Sequence, residues 1–446
     1  MGAGSDGDRL RWIEQPIARL TRRLERRHLA GRMLVAALAM PLLAFVLVVV
    51  ADAVPDRWVL DNLHEATVSE GLDTNSYDRG YAGGLTDGFS ECKRLTIGLG
   101  DLPGVHPVES ALLSPTLGGC DVAVPKIIGW AEGDGLVRSY DYPRYWNGSA
   151  AVFRPLVATV GVAGTRVLAV ICIAAITTLY AAVLRRRFGT PVAAVVLFPL
   201  LLTTDIIDLP GALLHALAWV VALAAASVLL LLPSETSDGA VAWWSFVAGG
   251  VFVFFADMAN PELAWSLAVA SIALTAADRL PALRALRRTA AAAAAWFAGF
   301  AWLWFTKWPI AASVVGFERM WDDVTGQIDE RLGGEVDGVS PSALDALDRV
   351  LTAWWDVPLT PIVIPALVAA VIAVVVRSSG GQPGGVSVGS RLVVLLPATI
   401  PLLWYVMLRN HTYVHFWFVY RSLAVVAAIA GAAVLIGRSG GRAVPT

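Results

Sequence analysis

From Met33 to Val54 the chain runs for twenty-two residues with a single charge, Asp52, and this run constrains everything downstream. A helical crossing of a bilayer core needs about 20 mostly apolar residues. Comparable runs recur near 165–184, 190–204, 211–232, 241–258, 262–277, 289–305, 361–376, 392–408 and 416–437. Together they predict an all-α polytopic membrane protein of about ten transmembrane helices. Two of the intervening turns, Asp205–Pro210 and Asp257–Pro261, are short enough to be breaks at membrane depth instead. Composition agrees, with 57% apolar and 16% charged residues in 446, against about 25% charged in a soluble domain. The 17 Trp, 15 Phe and 9 Tyr exclude a disordered chain. A net charge of −2 gives no field that would draw nucleic acid.

Charge placement gives the chain a direction. Residues 1–32 carry eight Arg, and Leu and Ile recur at helical spacing in IARLTRRLERRHL, which predicts a basic amphipathic helix on the cytoplasmic surface. It leads into 33–54 as an uncleaved signal anchor. With the N-terminus inside, Arg185–Arg187 and Arg284/Arg287/Arg288 fall in short inner loops, as the positive-inside rule requires. Of 36 acidic residues, 29 then fall outside. Two large polar segments share that outer face. The first is an extracytoplasmic loop, 55–155, with helical pieces expected at Tyr77–Leu99 and Ala111–Trp130. The second is an amphipathic segment, 306–360, with one helix through GFERMWDDVTGQIDERL and another capped by Ser340 ahead of Pro341. Helices over 156–305 and 361–446 complete the bundle, and both termini are cytoplasmic. The scarcity of Lys (three of 34 basic residues) beside abundant Ala and Val is the usage of a GC-rich bacterial genome, so the expected location is a bacterial plasma membrane.

Cys92 and Cys120 lie in the outer loop, where either a disulfide or two reduced thiols is compatible with the sequence. No CxxC or Cys/His spacing of a zinc site occurs. No cofactor is expected, and a divalent metal is left open.

Three clusters could carry chemistry. In LTDGFSECKRLTIGL, Asp87 and Glu91 are four apart and share a helix face, with Lys93 and Arg94 beside them. Paired carboxylates next to cations suit a general base working beside a bound phosphate, and a solvated helix face is the plain alternative. In RSYDYPRYWNGSAAVFRPL, Asp141, Arg144, Tyr145, Trp146, Asn147 and Arg154 crowd the return to the membrane. They suit a sugar platform with a phosphate-binding Arg, or an interfacial aromatic belt. In LRNHTYVHFWFVYRSL, His411, His415, Tyr420 and Arg421 stand at the outer membrane boundary. An Arg there must face protein or a cavity, and the cluster suits a lipid phosphate or a plain interfacial anchor. Asp257 in FFADMANPE and Lys307 in FTKWP are further boundary charges, and Asp52 and Asp56 flank the end of the first span. No P-loop, dinucleotide, GxSxG or kinase signature is present.

Through LTDGF, SYDYPRYWNGSAAVFRPL, FFADMANP, FTKWPIAAS and NHTYVHFWFVYR the chain resembles a family of bacterial polytopic membrane proteins. Its organisation is similar to that of the GT-C glycosyltransferases, which use polyprenyl-phosphate sugars at the outer face. That resemblance implies an acidic base in the first outer loop and basic residues holding the lipid phosphate. In those enzymes the acid follows span one closely, which here would mean Asp52 or Asp56, whereas the motif-borne acid of this chain is Asp87. The expectation is therefore an inverting transfer from a polyprenyl-phosphate sugar donor in the membrane lipid to an extracytoplasmic glycan or protein acceptor. Asp87 is the expected base, with Asp52, Asp56 and Glu91 in reserve. Arg144, Lys307, His411, His415 and Arg421 are the expected phosphate cradle, with Asp141, Tyr145 and Trp146 holding the sugar. Arg154, Asn147, Asp257 and Tyr420 join the expected binding set. A lipid or glycan transporter (a flippase) and a non-catalytic envelope-assembly protein are the rival readings.

Overall fold

A backbone inside lipid must satisfy its own N–H and C=O groups, so the apolar runs fold as helices. The computed structural model describes residues 11–437 apart from 26–27, 70, 73, 75–86, 101–106, 234, 333–334, 336–337 and 379–385. In chain order the helices are α1 (Arg11–Glu25), α2 (Leu29–Asp52), α3 (Asp56–Val68), α4 (Gly88–Leu95), α5 (Pro107–Leu113), α6 (Cys120–Ala131) and α7 (Ala150–Leu202). There follow α8 (Leu213–Leu231), α9 (Asp238–Ala256), α10 (Pro261–Arg279), α11 (Ala282–Val315), α12 (Phe317–Leu332) and α13 (Ala343–Trp355). The chain ends with α14 (Thr360–Ser378), α15 (Val388–Leu395), α16 (Thr399–Met407), α17 (Arg409–Val414), α18 (Phe416–Val419) and α19 (Arg421–Leu435). Two short strands, β1 (Pro115–Thr116) and β2 (Tyr140–Asp141), pair antiparallel. The protein is an all-α, multi-pass membrane-embedded bundle.

Among the described residues seven helices are long and apolar enough to cross a membrane, and α13 with α14, bent by 90°, makes up to eight. The sequence suggested about ten apolar spans, and each of those runs is helical. The difference lies in continuity and charge. Helix α7 runs for 53 residues and absorbs two of the runs, breaking its dihedrals at Gly161 and Gly189, where φ is +70° and +83°. Only glycine adopts that region freely. Helix α10 covers the 262–277 run but carries Glu262, Asp278 and Arg279 within nineteen residues.

The packing order follows from residue size. Helices α8, α10 and α19 bury nearly their whole circumference, whereas α2 leaves Leu34, Leu38 and Leu42 exposed, the pattern of a helix on the rim of the bundle. Helices α9 and α11 approach closely, because Gly249 and Gly299 put no side chain between the two backbones.

The two ends of the bundle differ in chemistry. The Arg clusters expected in short inner loops lie on helices, Arg185–Arg187 within α7 ahead of its break at Gly189 and Arg284, Arg287 and Arg288 at the start of α11. At one end they meet α1 and its neighbours: Arg186 pairs with Glu14 at 2.7 Å, Arg187 donates to the Leu232 carbonyl at 3.0 Å, and Arg288 pairs with Asp238. At the other end the two large polar segments lock together through Arg144–Asp323 and Arg319–Asp141, and α17 joins the second of them by a bond from Asn410 Nδ2 to the Glu330 carbonyl.

Among its described residues the first polar segment holds more regular structure than its sequence suggested. Helix α3 forms where no helix was expected. The expected helix at Tyr77–Leu99 is represented by α4 alone, since 75–86 lies outside the described residues. The expected Ala111–Trp130 helix is broken between α5 and α6 by β1 and its turn. A disulfide joins Cys92 on α4 to Cys120 on α6, their Cα atoms 4.9 Å apart. In the second segment, Ser342 rather than Ser340 caps α13: its hydroxyl accepts the Asp345 N–H while Asp345 accepts the Ser342 N–H.

Candidate functional site

The site begins with α4. Asp87 is its N-cap and accepts the Ser90 N–H at 2.9 Å. The four-residue spacing puts Asp87 and Glu91 on one face, and that face grips the first turn of α8. Glu91 Oε2 accepts the Leu213 N–H at 2.6 Å, one of the orphan donors at a helix start. Asp87 Oδ2 meets His215 Nε2 at 2.9 Å. Arg94 on the same helix pairs with Asp257 at 2.6 Å, just past the end of α9, and donates to Asn147 Oδ1. Asp257 and Asn147 hold φ of 49° and 53°, strained for non-glycine residues and often found where geometry serves a site. Gly148 lets this loop press onto α9: its N–H reaches the Phe254 carbonyl at 2.9 Å, and a Cβ there would sit 2.4 Å from that oxygen.

These elements enclose a cavity of about 330 Å³ at the polar end of the bundle. Asp87, Lys93, Arg94 and His215 form one wall, and Tyr140, Tyr142, Arg144 and Tyr145 a second. Gln327, Glu330 and Arg331 of α12 and His411, His415 and Phe418 close it. Arg144 is fixed by Asp323, and its carbonyl takes the indole N–H of both Trp304 and Trp308 at 3.2 Å. Tyr145 stacks on Trp304 with ring centroids 5.8 Å apart.

Four cations, Lys93, Arg94, Arg144 and Arg331, line the cavity against three acids, Asp87, Asp257 and Glu330. Lys93 Nζ lies 3.5 Å from the centre of the Tyr142 ring and the Arg144 guanidinium 4.6 Å from it, while the Arg331 guanidinium lies 5.9 Å from that of Tyr145. Arg94 and Arg144 have carboxylate partners. Lys93 and Arg331 have none within ion-pair distance among the described residues. Burial pushes the Tyr142 phenol up, yet Lys93, Arg144 and Arg94 outweigh it and draw it down to about 7. A second anion, such as a phosphate, would meet the same attraction.

The acids divide by environment. Burial raises the Asp87 carboxyl, but the His215 hydrogen bond and charge and the Ser90 N–H win and hold it at about 2. Burial dominates at Glu91 and carries it to about 7 against the pull of Arg166. Burial also brings His415 down to about 4 and His411 well below the ordinary histidine value. Both rings are therefore neutral at neutral pH and offer hydrogen bonds, not charge.

Glu91 supplies a pH prediction. Above about pH 4.5 the unfolded chain ionises this group, while the folded chain keeps it protonated until about 7. Its contribution to stability is therefore full at low pH and is lost as pH rises from about 4.5 to 7. Glu91→Gln keeps an acceptor for Leu213 and cannot ionise. Thermal unfolding at pH 5 and pH 7.5 should show the variant gaining on the wild type at the higher pH. Parallel curves would mean that Glu91 is ionised throughout.

Of the residues singled out in the sequence, Asp87, Lys93, Arg94, Arg144, Tyr145, Asp257, His411 and His415 line this one cavity. The rest hold the frame. Arg421 was expected at a phosphate, but its fork is taken by Asp205, with bonds of 2.5 and 2.6 Å, and both side chains are buried away from the cavity. Tyr420 is buried beside them. Arg154 donates to the Ala51, Val54 and Ile97 carbonyls and to Asp56, capping the end of α2. Asp52 lines a separate crevice with Arg154 and Ser110. Lys307 donates to the Leu112 carbonyl over the Trp146 ring, and Trp146 donates to the Leu303 carbonyl. Asp141 pairs with Arg138 and Arg319, and Asn147 orients Arg94.

The sequence reading missed His215, Arg331 and Tyr142. His215 carried a signal, since a titratable group in the apolar run 211–232 is a functional candidate by default. Tyr142 lay within the aromatic motif SYDYPRYWNGSAAVFRPL without being named, and Arg331 carried no signal. Among the described residues no three His, Cys, Asp or Glu side chains converge to hold a metal ion.

No family model, curated protein or solved structure matches the chain. The cavity itself therefore carries the functional argument: an acid paired with a histidine, cations without a carboxylate partner among the described residues, and stacked aromatics, at the end of a membrane bundle.

Proposed function

We propose that this protein is a membrane glycosyltransferase of GT-C-like organisation. It moves a sugar from a polyprenyl-phosphate donor to an extracytoplasmic acceptor, a glycan or protein of a bacterial cell envelope. The observation that carries the reading is the single cavity that brings Asp87–His215, Lys93, Arg144 and Arg331 together with Tyr142 and Tyr145. A phosphoryl sugar presents two things to a protein: a dianionic leaving group and a ring with hydroxyls. Lys93, Arg144 and Arg331 suit the first, stabilising charge as it grows on the departing phosphate. Tyrosine rings suit the second. In this reading the chain crosses the plasma membrane about ten times, both termini are cytoplasmic, and the cavity faces outward. The Arg clusters of α7 and α11 at the opposite end support that sidedness. The cavity's position at the helix ends favours an enzyme over a transporter, whose substrate sites lie near the bilayer midplane.

Arg331→Gln tests the reading, because Arg331 is only partly buried and its loss leaves no carboxylate unpaired among the described residues. Purified full-length protein in vesicles, given a synthetic polyprenyl phosphate carrying a labelled sugar and membrane-extracted acceptor, should transfer the label. In the variant the donor KM should rise roughly tenfold or more, the loss of one charge-assisted bond, with an unchanged melting temperature. Movement of intact donor across the vesicle without sugar transfer would establish the flippase reading, and neither activity would leave an assembly role.

A further inference from the structure

Asp87 is poorly placed to take a proton from substrate. One of its oxygens accepts the Ser90 N–H and the other faces His215 Nε2, each at 2.9 Å, and both side chains are almost wholly buried. A carboxylate held ionised can only accept, so the proton of this bond sits on His215 Nε2. That leaves Nδ1 as the ring's lone pair. Among the described residues His215 Nδ1 has no hydrogen-bond partner, although its ring is part of the cavity wall. Buried polar atoms are nearly always partnered, and a hydroxyl entering the cavity would supply the missing donor. The ring is held in place by Asp87 on one side and by the Phe418 ring, with centroids 4.7 Å apart, on the other.

We infer that His215 is the catalytic base, receiving the acceptor's proton at Nδ1, and that Asp87 is its positioning residue. The inference rests on the glycosyl-transfer reading above. As the acceptor O–H gives its proton to Nδ1, the oxygen's electron pair forms the new bond to the anomeric carbon. The bond from that carbon to the donor's phosphate oxygen breaks, and its electron pair leaves with the phosphate among Lys93, Arg144 and Arg331. The imidazolium so formed is compensated by the Asp87 carboxylate, and returns its proton to water after product leaves. Four other charged or titratable groups bear on the ring's proton affinity: Asp205 from the turn before α8, Arg421 from α19, His415 between α17 and α18, and Asp87 itself from α4.

The experiment uses purified full-length protein in vesicles with the labelled polyprenyl-phosphate sugar. His215→Gln should lower kcat by about 10²–10⁴-fold while leaving the donor KM within about twofold. Asp87→Asn should fall comparably, by analogy with a triad whose histidine is left in the wrong tautomer. The acid limb of its kcat–pH profile should also move to lower pH, and Asp87→Glu should recover part of the rate. Should His215→Gln keep its rate while Asp87→Asn loses it, Asp87 is itself the base and the inference falls, with glycosyl transfer intact. A wild type that transfers no sugar overturns both readings. A tautomer measurement does not depend on the variants folding: nitrogen-15 histidine spectra of the wild type should show His215 protonated at Nε2, and protonation at Nδ1 alone would refute the assignment.

Discussion

Arg421→Ala is expected to destabilise the protein by about 3–5 kcal/mol, the cost of leaving a buried charge without its partner. Asp205 would be that charge. It lies in the turn between α7 and α8, 216 residues from Arg421, and its two oxygens face Arg421 Nε and Nη2 at 2.5 and 2.6 Å. Both side chains are 2% exposed, so water cannot replace the missing fork. The pair's net value is smaller than this loss, because desolvating two ions offsets most of their attraction. The double variant Asp205→Leu/Arg421→Met should therefore recover much of the stability that the single change removes. Unfolding in mixed detergent micelles would measure both. A single variant within about 1 kcal/mol of wild type would mean that the pair is solvated.

Gly299→Val should be at least as severe, costing more than about 4 kcal/mol or abolishing the folded protein. A Cβ on Gly299 would stand 1.9 Å from the Phe246 carbonyl oxygen, and one on Gly249 would stand 2.0 Å from that of Trp296. Backbone cannot rotate away as a side chain can, so α9 and α11 would have to separate. Separation would strip packing from Trp296, Phe252 and Phe300, whose rings stack along the same seam. The neighbouring Gly250 is the control. A Cβ there meets the tip of Met40 at 2.1 Å, a flexible thioether that can change rotamer. Gly250→Ala should stay within about 1 kcal/mol. Fluorescence size-exclusion profiles after heating would rank the three proteins.

What the sequence disclosed follows the range of the interactions involved. The apolar runs are local, and each became a helix. The shared face of Asp87 and Glu91 is a consequence of helical spacing, and both carboxylates do point at one helix. Their partners were beyond reach, since His215 lies 128 residues from Asp87. Arg421 illustrates the limit most clearly. The energetics required that an arginine at that depth face something polar, but they did not choose between a bound phosphate and Asp205. Arg154 misled for a similar reason: an arginine near aromatics can hold a ligand or cap a helix end, and its four acceptors became adjacent only when α2, α3 and the 97 turn converged. Glycine was informative in the opposite sense. Gly249 and Gly299 look alike in any run of small residues, and only the crossing of α9 over α11 makes them indispensable.

The bond between Cys92 and Cys120 has a consequence of timing. Helix α4 has eight residues, too few to persist without outside support, yet it carries Asp87, Lys93 and Arg94. Its covalent support is α6, reached through a linkage that forms only where thiols meet an oxidant. A newly made chain, still reduced, could insert every apolar helix and remain without a finished pocket. In the proposed orientation, with the cavity facing outward, competence would then arrive last, at a rate set by the oxidising machinery on that side and not by the folding of the bundle.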